Sequence, residues 1–434
     1  MSAKVSILSL GCSKNLVDSE RLARRFSDAG FDVRFVEGLE PDGSCVVVNT
    51  CGFIGDAKEE SVNTLLGALK MKSEGELSAV YAMGCLTERY RAELKEELPD
   101  LDGLYGKFDW QMLVDDLSKK ATPDPRPWER TLSTPPHSTY LKISEGCNRF
   151  CAFCAIPLIT GRHHSRPVDE ILEEVSSLVG KGVKEFNVIA QDLSSYGRDL
   201  AGGESLLAAL LERMAGIDGV EMIRLHYAYP ADFPYDILPV MAAHDNICKY
   251  LDIALQHIDD KVLDNMQRHI DGAATRRLLE RIRREVPGIC IRTTMMVGFP
   301  GEDDAAFGRL LDFVREQRFE RLGAFAYCEE EGTYAARNLP DDIPEDVKQA
   351  RLDRLMAVQQ EIAFDYAASQ VGRTLRVIID GHDGDRYVGR TEYDSPEVDC
   401  CVFVDDTVGL HTGGIYDVTI YDYEGFDLLG KVAG

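Results

Sequence analysis

No run of eighteen consecutive apolar positions occurs anywhere in the 434 residues, so nothing reads as a bilayer-spanning segment. Positive charge is also scarce. Lys and Arg number 48 against 74 Asp and Glu, a formal charge of −26. Nucleic-acid affinity rests largely on phosphate neutralisation by basic side chains, so nucleic acid is disfavoured as a direct substrate. A basic protein is the electrostatically natural partner. A Walker-type phosphate loop and a GxGxxG turn are both missing, which leaves ATP and NAD binding without support. The opening MSAKVSILSLGC carries an apolar run that stops at Gly11, with no basic-then-apolar signal pattern. The expectation is a soluble, cytoplasmic protein with no membrane attachment.

Cysteine, by contrast, is plentiful. Twelve cysteines in a reducing compartment point to metal or catalysis before disulfides. Cys45, Cys248, Cys290, Cys328, Cys400 and Cys401 stand in apolar strand-like runs and read as buried structural residues. Two other groups carry a pattern. In EGCNRFCAFCAIPLITGRHHSRP (residues 145–167) Cys147, Cys151 and Cys154 have the spacing CxxxCxxC. A closed zinc site wants four ligands, usually in two separated pairs, and His163 or His164 would have to complete one here. Three thiolates in one turn instead suit a cubane 4Fe-4S cluster with one iron free of protein ligands, able to bind and polarise a small molecule. Phe150 and Phe153 alternate with the ligands and are expected to shield the cluster from water.

Residues 1–121 alternate strand-like and helix-like patterns, with strands expected at 5–10, 45–49 and 79–83 and helices at 19–29 and 57–72. This is a βαβ arrangement, hence an open parallel sheet. Each strand is followed by a cysteine: Cys12, Cys51 and Cys85, in LGC, NTC and MGC. Parallel strands place their C-terminal ends on one edge, so three thiolates from distant positions converge there, and Gly11, Gly52 and Gly84 permit the tight turns needed. A second metal site is the reading, against three buried core cysteines. The Pro-rich stretch 122–138 reads as a linker.

From 139 to 368 the βα rhythm runs for six units, with strands at 140–144, 185–190, 222–227, 250–255, 290–297 and 322–327. Helices such as 168–179, 205–214 and 305–317 intervene. Six parallel strands with right-handed crossovers suggest a partial (β/α)6 barrel, and the cysteine loop lies at its C-terminal mouth. Gln191, Gln256 and Gly298 also fall just after strands and are candidate cofactor contacts, though a plain turn explains Gly298 about as well. Residues 344–370 form one long amphipathic helix packing across the barrel. The tail, 369–434, reads as a small β-barrel of about five strands with 5 Lys and Arg against 13 Asp and Glu.

The opening GCSKNLVDSE, the EGCNRFCAFCAIP loop, IAQDLSSYG, YLDIALQHI, VGFPGE, EEEGTYAA and the tail stretch GRTEYDSPEVD together resemble the RimO-type methylthiotransferases over nearly the whole chain. The cysteine loop by itself is similar to that of radical S-adenosylmethionine (SAM) enzymes, and the tail to the TRAM barrel. The tRNA-modifying MiaB-type sister family usually opens on a GCQMN-like motif, so Gly11-Cys-Ser-Lys-Asn15 favours the ribosomal-protein branch. Thr160 departs from the pattern where arginine is common, and Cys400 where glycine is. The resemblance implies one 4Fe-4S cluster on Cys147, Cys151 and Cys154 and a second on Cys12, Cys51 and Cys85. It implies SAM as cofactor and, as substrate, the β-carbon of an aspartate in small-subunit ribosomal protein twelve, free or in the assembled subunit.

That C–H bond is unactivated, so no side-chain acid or base is assigned to it. Radical chemistry is the alternative: an electron donor such as flavodoxin or ferredoxin supplies the cluster that cleaves SAM, and the second cluster delivers sulfur. His163, His164 and Arg166 are either substrate contacts or, the preferred reading, a solvated loop. The acidic tail barrel is read as a dock for the basic substrate. Two competing readings are the same chemistry on adenosine in tRNA, and a non-catalytic metal protein using the barrel as an interaction module.

Overall fold

The computed structural model describes residues 4–119, 122, 126–405 and 409–433. Residues 123–125 of the Pro-rich stretch and Asp406 of the tail lie outside it. The chain forms two units: Met1–Thr134 with Glu145–Asn148 and Cys154–His164, and Pro135–Ser144 with Arg149–Phe153 and Ser165–Gly434.

The first unit is a five-stranded parallel sheet flanked by helices. In chain order it runs β1 (Lys4–Ser9), α1 (Ser13–Asp28), β2 (Asp32–Val36), β3 (Cys45–Thr50), α2 (Gly55–Ser73), β4 (Ala79–Gly84), α3 (Cys85–Arg89), α4 (Arg91–Glu97), β5 (Gly103–Leu104), α5 (Trp110–Ser118) and, from the cysteine loop, α6 (Ile156–Thr160). The strand order is β2-β1-β3-β4-β5. Both faces are covered, which is why the strands read as continuous apolar runs. Val46 and Val48 join the core with Leu65 and Ala68 of α2, while Val47 points the other way, to Leu22 and Phe26 of α1. The edge strand β2 was not legible: its sequence, DVRFV, is mostly half-buried and mixes charge with apolar residues.

Described residues of the Pro-rich stretch hold no helix or strand until Ser138, where the next strand begins one residue inside it. The stretch is anchored nonetheless. Arg130 is buried and pairs with Glu20 of α1, whose other carboxylate oxygen accepts from the Ser133 N–H at 2.8 Å.

The second unit carries a six-stranded parallel sheet: β6 (Ser138–Lys142), β9 (Glu185–Ile189), β10 (Met222–Ala228), β11 (Ile247–Ile253), β12 (Cys290–Val297) and β13 (Arg321–Ala326), with the short β7 (Ser144–Glu145) and β8 (His164–Ser165) lying outside it. Its strands follow one another in sequence order, as in an opened barrel. Between and after them come α7 (Val168–Val179), α8 (Leu207–Ala215), α9 (Ile237–Ala243), α10 (Asp260–Asn265), α11 (Gly272–Glu285), α12 (Asp304–Gln317), α13 (Tyr334–Asn338) and α14 (Glu345–Gln370). The long helix α14 packs on the edge strand β13 and on α12, where the sequence suggested a path across the barrel. Its buried stripe is largely polar: Lys348, Arg351, Gln359 and Gln370 share it with Leu355, Ile362 and Ala367. Gln359 Nε2 donates to the Phe319 carbonyl at 2.9 Å, close to the start of β13. Such a helix blunts an otherwise open sheet edge.

Five further strands close into the expected small barrel: β14 (Thr374–Asp383), β15 (Arg386–Thr391), β16 (Val402–Asp405), β17 (Ile415–Glu424) and β18 (Asp427–Val432). It packs under the strand starts of the six-stranded sheet. Met222, Cys248, Tyr250 and Cys290 form one cluster with Ile378. At the same place Glu185 accepts from Arg390 at 2.7 and 2.8 Å and also pairs with Arg224, all three buried. No helix among the described residues is long and apolar enough to cross a membrane.

Candidate functional site

In the first unit three far-apart cysteines come to one sheet edge, as their positions after strands required. Cys12 is the N-cap residue of α1, Cys51 directly follows β3, and Cys85 opens α3 after β4. A Cβ on Gly11, whose φ is +87°, would stand 2.7 Å from Cys51 Sγ. At Gly84, φ +111°, it would meet Asn49 Oδ1 at 2.3 Å. Only glycine allows these approaches. The Cys85 thiol lies 3.3 Å from Asn15 Oδ1. Burial pushes that thiol up to about 12, with Lys107 opposing and Cys12 and Cys51 adding to the rise. A metal ion reverses this balance, because coordination deprotonates a thiol outright. The converging thiols and their glycine-lined approaches therefore fit a soft-metal cluster.

Lys107, which sequence reasoning missed, is the buried cation of this neighbourhood. Its Nζ lies 2.5 Å from Asp18 Oδ2. Burial opposes its charge, but Asp18, Glu145 and Cys85 outweigh burial and hold its pKa well above the ordinary lysine value. One ammonium thus senses both the Cys85 end and the start of the CxxxCxxC loop. The two stretches also touch: α3, which Cys85 opens, packs on α6, which begins two residues after Cys154.

Within the loop Cys147 and Cys151 are buried and Cys154 is half-buried. The Cys147 N–H donates to Gly161 O at 3.2 Å, and Asn148 Oδ1 accepts from the His163 N–H at 3.2 Å, so the loop closes on itself. Cys151 faces Arg268 and Tyr229. The expected aromatic shield is not formed as drawn. Phe150 is 52% exposed with φ +50°, and Phe153 turns into a core cluster beside Phe299. Among the described residues no three His, Cys, Asp or Glu side chains are grouped to hold a single metal ion. Thiolates of a cubane each take a different iron, so they need not crowd round one point.

At the strand ends of the second unit, Asp192 carries more than the neighbouring Gln191. It is buried, and its Oδ2 accepts from Arg149 Nε at 2.6 Å and Ser195 Oγ at 2.5 Å, while Oδ1 meets no described donor. Gln256 is held at φ +71°; its backbone bridges to β12, and its buried Oε1 likewise meets no described donor. Two such acceptors fit a ligand rich in N–H and O–H donors, as SAM is. At Gly298 a different neighbour sets the requirement: a Cβ would strike the Lys348 stem of α14 at 2.3 Å. Beyond Gln256, His257 Nδ1 accepts from the Asp259 N–H, so Nε2 bears the proton and donates to Glu302 at 3.1 Å. Glu302 in turn pairs with Arg351 at 2.8 Å.

The solvated-loop reading of this stretch does not hold: His164 is exposed but opens β8, and its neighbours are fixed. His163 is buried, and Arg166 is fixed by Glu170, Glu174 and the Lys142 carbonyl at 2.6–2.8 Å. Cys328 is exposed where burial was expected, because β13 ends at Ala326 and Cys328 lies beyond it.

Comparison with known proteins agrees with this architecture. Residues 141–314 match the Radical SAM superfamily, 371–433 the TRAM domain, and 4–106 an uncharacterized protein family, UPF0004. The chain is 55% identical over 429 residues, 99% of both chains, to the ribosomal protein uS12 methylthiotransferase RimO of Bacteroides fragilis. Its counterpart in Parabacteroides distasonis is 54% identical over the same share, and that of Christiangramia forsetii 44%, covering 99% of this chain and 94% of the relative. Among solved structures, the radical SAM methyltransferase TsrM from Kitasatospora setae superposes with a TM-score of 0.55 at 16% identity over 75% of each chain. The cobalamin-dependent radical enzyme OxsB gives 0.51 at 13% identity, over 83% of this chain and 56% of its own.

Proposed function

The chain belongs to the RimO family of ribosomal protein methylthiotransferases, and from that premise we propose how its residues divide the work of methylthiolating uS12 by radical SAM chemistry. One observation carries the reading: 55% identity from end to end with a curated member. Methylthiolation of tRNA is not favoured, which agrees with the net charge of −26.

Cys147, Cys151 and Cys154 would hold one 4Fe-4S cluster, and Cys12, Cys51 and Cys85 a second. When bound, these groups and SAM supply the 5′-deoxyadenosyl radical and the transferable sulfur that no side chain can provide. The residues around them bind and orient. Asp192 and Gln256 offer buried acceptors for SAM, with Gln191 beside the former. Arg149, held by Asp192 and Asp232, fixes the middle of the cysteine loop. The His257–Glu302–Arg351 chain locks the Gln256 turn. The site of action is cytoplasmic, and a low-potential carrier such as flavodoxin or ferredoxin would deliver the electron. The target is an aspartate β-carbon of uS12, free or assembled. Mass spectrometry of uS12 from cells with and without the gene tests this. A methylthio mass increment on one aspartate is expected only with the gene, and its persistence in the deletion ends the proposal.

The tail barrel would dock the basic substrate, but only part of its acidity is available. Asp380, Glu392, Asp394 and Asp399 are engaged with His137 and Arg390, the Lys249 N–H, Arg321, and Tyr250. Asp383, Asp385, Asp417, Asp422 and Glu424 are exposed. Neutralising these five to Asn or Gln is expected to weaken uS12 binding by about tenfold and flatten its salt dependence. Binding measured across a salt series checks this, and an unchanged curve moves recognition elsewhere.

A further inference from the structure

Tyr229 follows β10, and two guanidiniums lie over its ring: Arg149 at 4.3 Å and Arg268 at 4.2 Å from the centroid. The two cations are not equivalent. Arg149 meets the carboxylates of Asp192 and Asp232 at 2.6 and 2.9 Å. Arg268 is 3% exposed, yet no carboxylate among the described residues pairs with it. Its Nη2 donates to the Ala254 carbonyl, its Nε is buried without a described acceptor, and its Nη1 points at Cys151 Sγ from 3.2 Å. The Tyr229 hydroxyl completes the arrangement, donating to the Arg268 carbonyl at 2.9 Å and lying 3.6 Å from the same sulfur.

A buried cation without a counter-ion is costly, so such a residue marks a place where negative charge is to stand. The group facing Arg268 is a cysteine, which becomes anionic when it ligates metal. We propose that Arg268 is the charge partner of the Cys151 thiolate and a positioning residue that raises the reduction potential of the cluster Cys151 holds. The inference rests on the assignment of Cys151 as a ligand. Its physics is general: reduction adds one negative charge to the cluster, and a fixed cation donating N–H to a ligand sulfur stabilises the reduced form more than the oxidised one. One electron arrives from a low-potential one-electron donor, and no proton moves. Arg149 cannot substitute, because two carboxylates already neutralise it.

The test is a potentiometric titration of the reconstituted full-length protein without SAM, with dithionite as reductant and low-temperature EPR as readout. The signal followed is the one that Cys151→Ala removes. Arg268→Met should retain the parent iron content but require a tenfold more reducing poise, about 59 mV lower for a one-electron couple. Arg268→Lys, which keeps the charge, should lie between parent and Arg268→Met. If Arg268→Met does not load iron, Arg268→Gln replaces it, with the same downward shift expected. A fully loaded neutral variant with the parent potential overturns the proposal. Cys151→Ala retaining every signal and all its iron would remove the ligand assignment itself, a different failure from an unshifted potential.

Discussion

Cys151→Ala is expected to stop the conversion of SAM to 5′-deoxyadenosine, while Cys51→Ala leaves it running and abolishes methylthiolation. The two cysteines sit in separate settings. Cys151 lies among Arg268, Tyr229 and the strand-end residues of the second unit, whereas Cys51 belongs to the thiol group around Gly11 and Cys85. On the proposed assignment of Cys147, Cys151 and Cys154 as cluster ligands, removing one of the three would remove the source of radical. The fall should be on the order of 10⁶-fold, the low end of enzymatic acceleration, and reads as zero. Chromatography of deoxyadenosine, with mass spectrometry of uS12 in the same reaction, separates the two losses. Deoxyadenosine from Cys151→Ala at the parent rate would exclude the radical assignment, and full product from Cys51→Ala the sulfur role of the second trio.

Glu185→Gln is expected to cost about 3–5 kcal/mol of stability, the range for removing one partner of a buried ion pair. Glu185 is fully buried between Arg224 and Arg390, and Asp380 can satisfy only the latter, at 2.6 Å. Arg224 would be left at 0% exposure with no carboxylate. Replacing Glu185 and Arg224 together by Leu and Met should recover much of the loss, since an apolar pair carries no desolvation penalty. Denaturant midpoints for the single and double variants measure this. The pH dependence follows from the same contacts. Burial works against the Glu185 charge, but Arg390 and Arg224 outweigh it and hold the carboxyl well below its ordinary value of 4.5. A depressed carboxylate contributes fully above that ordinary value and loses its contribution as pH falls through the lower, folded one. The parent should therefore lose this increment progressively as pH falls below 4.5 towards the folded value, and Glu185→Gln should show no corresponding loss.

Several boundaries were legible because they follow from local pattern. Val168–Val179 and Cys290–Val297 coincide with their expected spans, the first by helical periodicity and the second by an unbroken β-rich run. Both cysteine trios were visible for a similar reason: one is a spacing within eight residues, and the other recurs at strand ends that any parallel sheet brings to one edge. The half-buried β2 carried too mixed a pattern to be seen, and Phe150, expected to shield the cysteine loop, is exposed on a left-handed backbone.

Sequence alone settled most of the alternation of strands and helices, the acidic tail barrel and the family, since each is written in runs of neighbouring residues. Tertiary structure decided which charges oppose which. Lys107 meets Asp18 across 89 positions, Arg390 meets Glu185 across 205, and Arg268 reaches Cys151 across 117. Such pairs leave no periodic trace in the chain. Burial and electrostatics act on distance in space, and only the fold sets that distance.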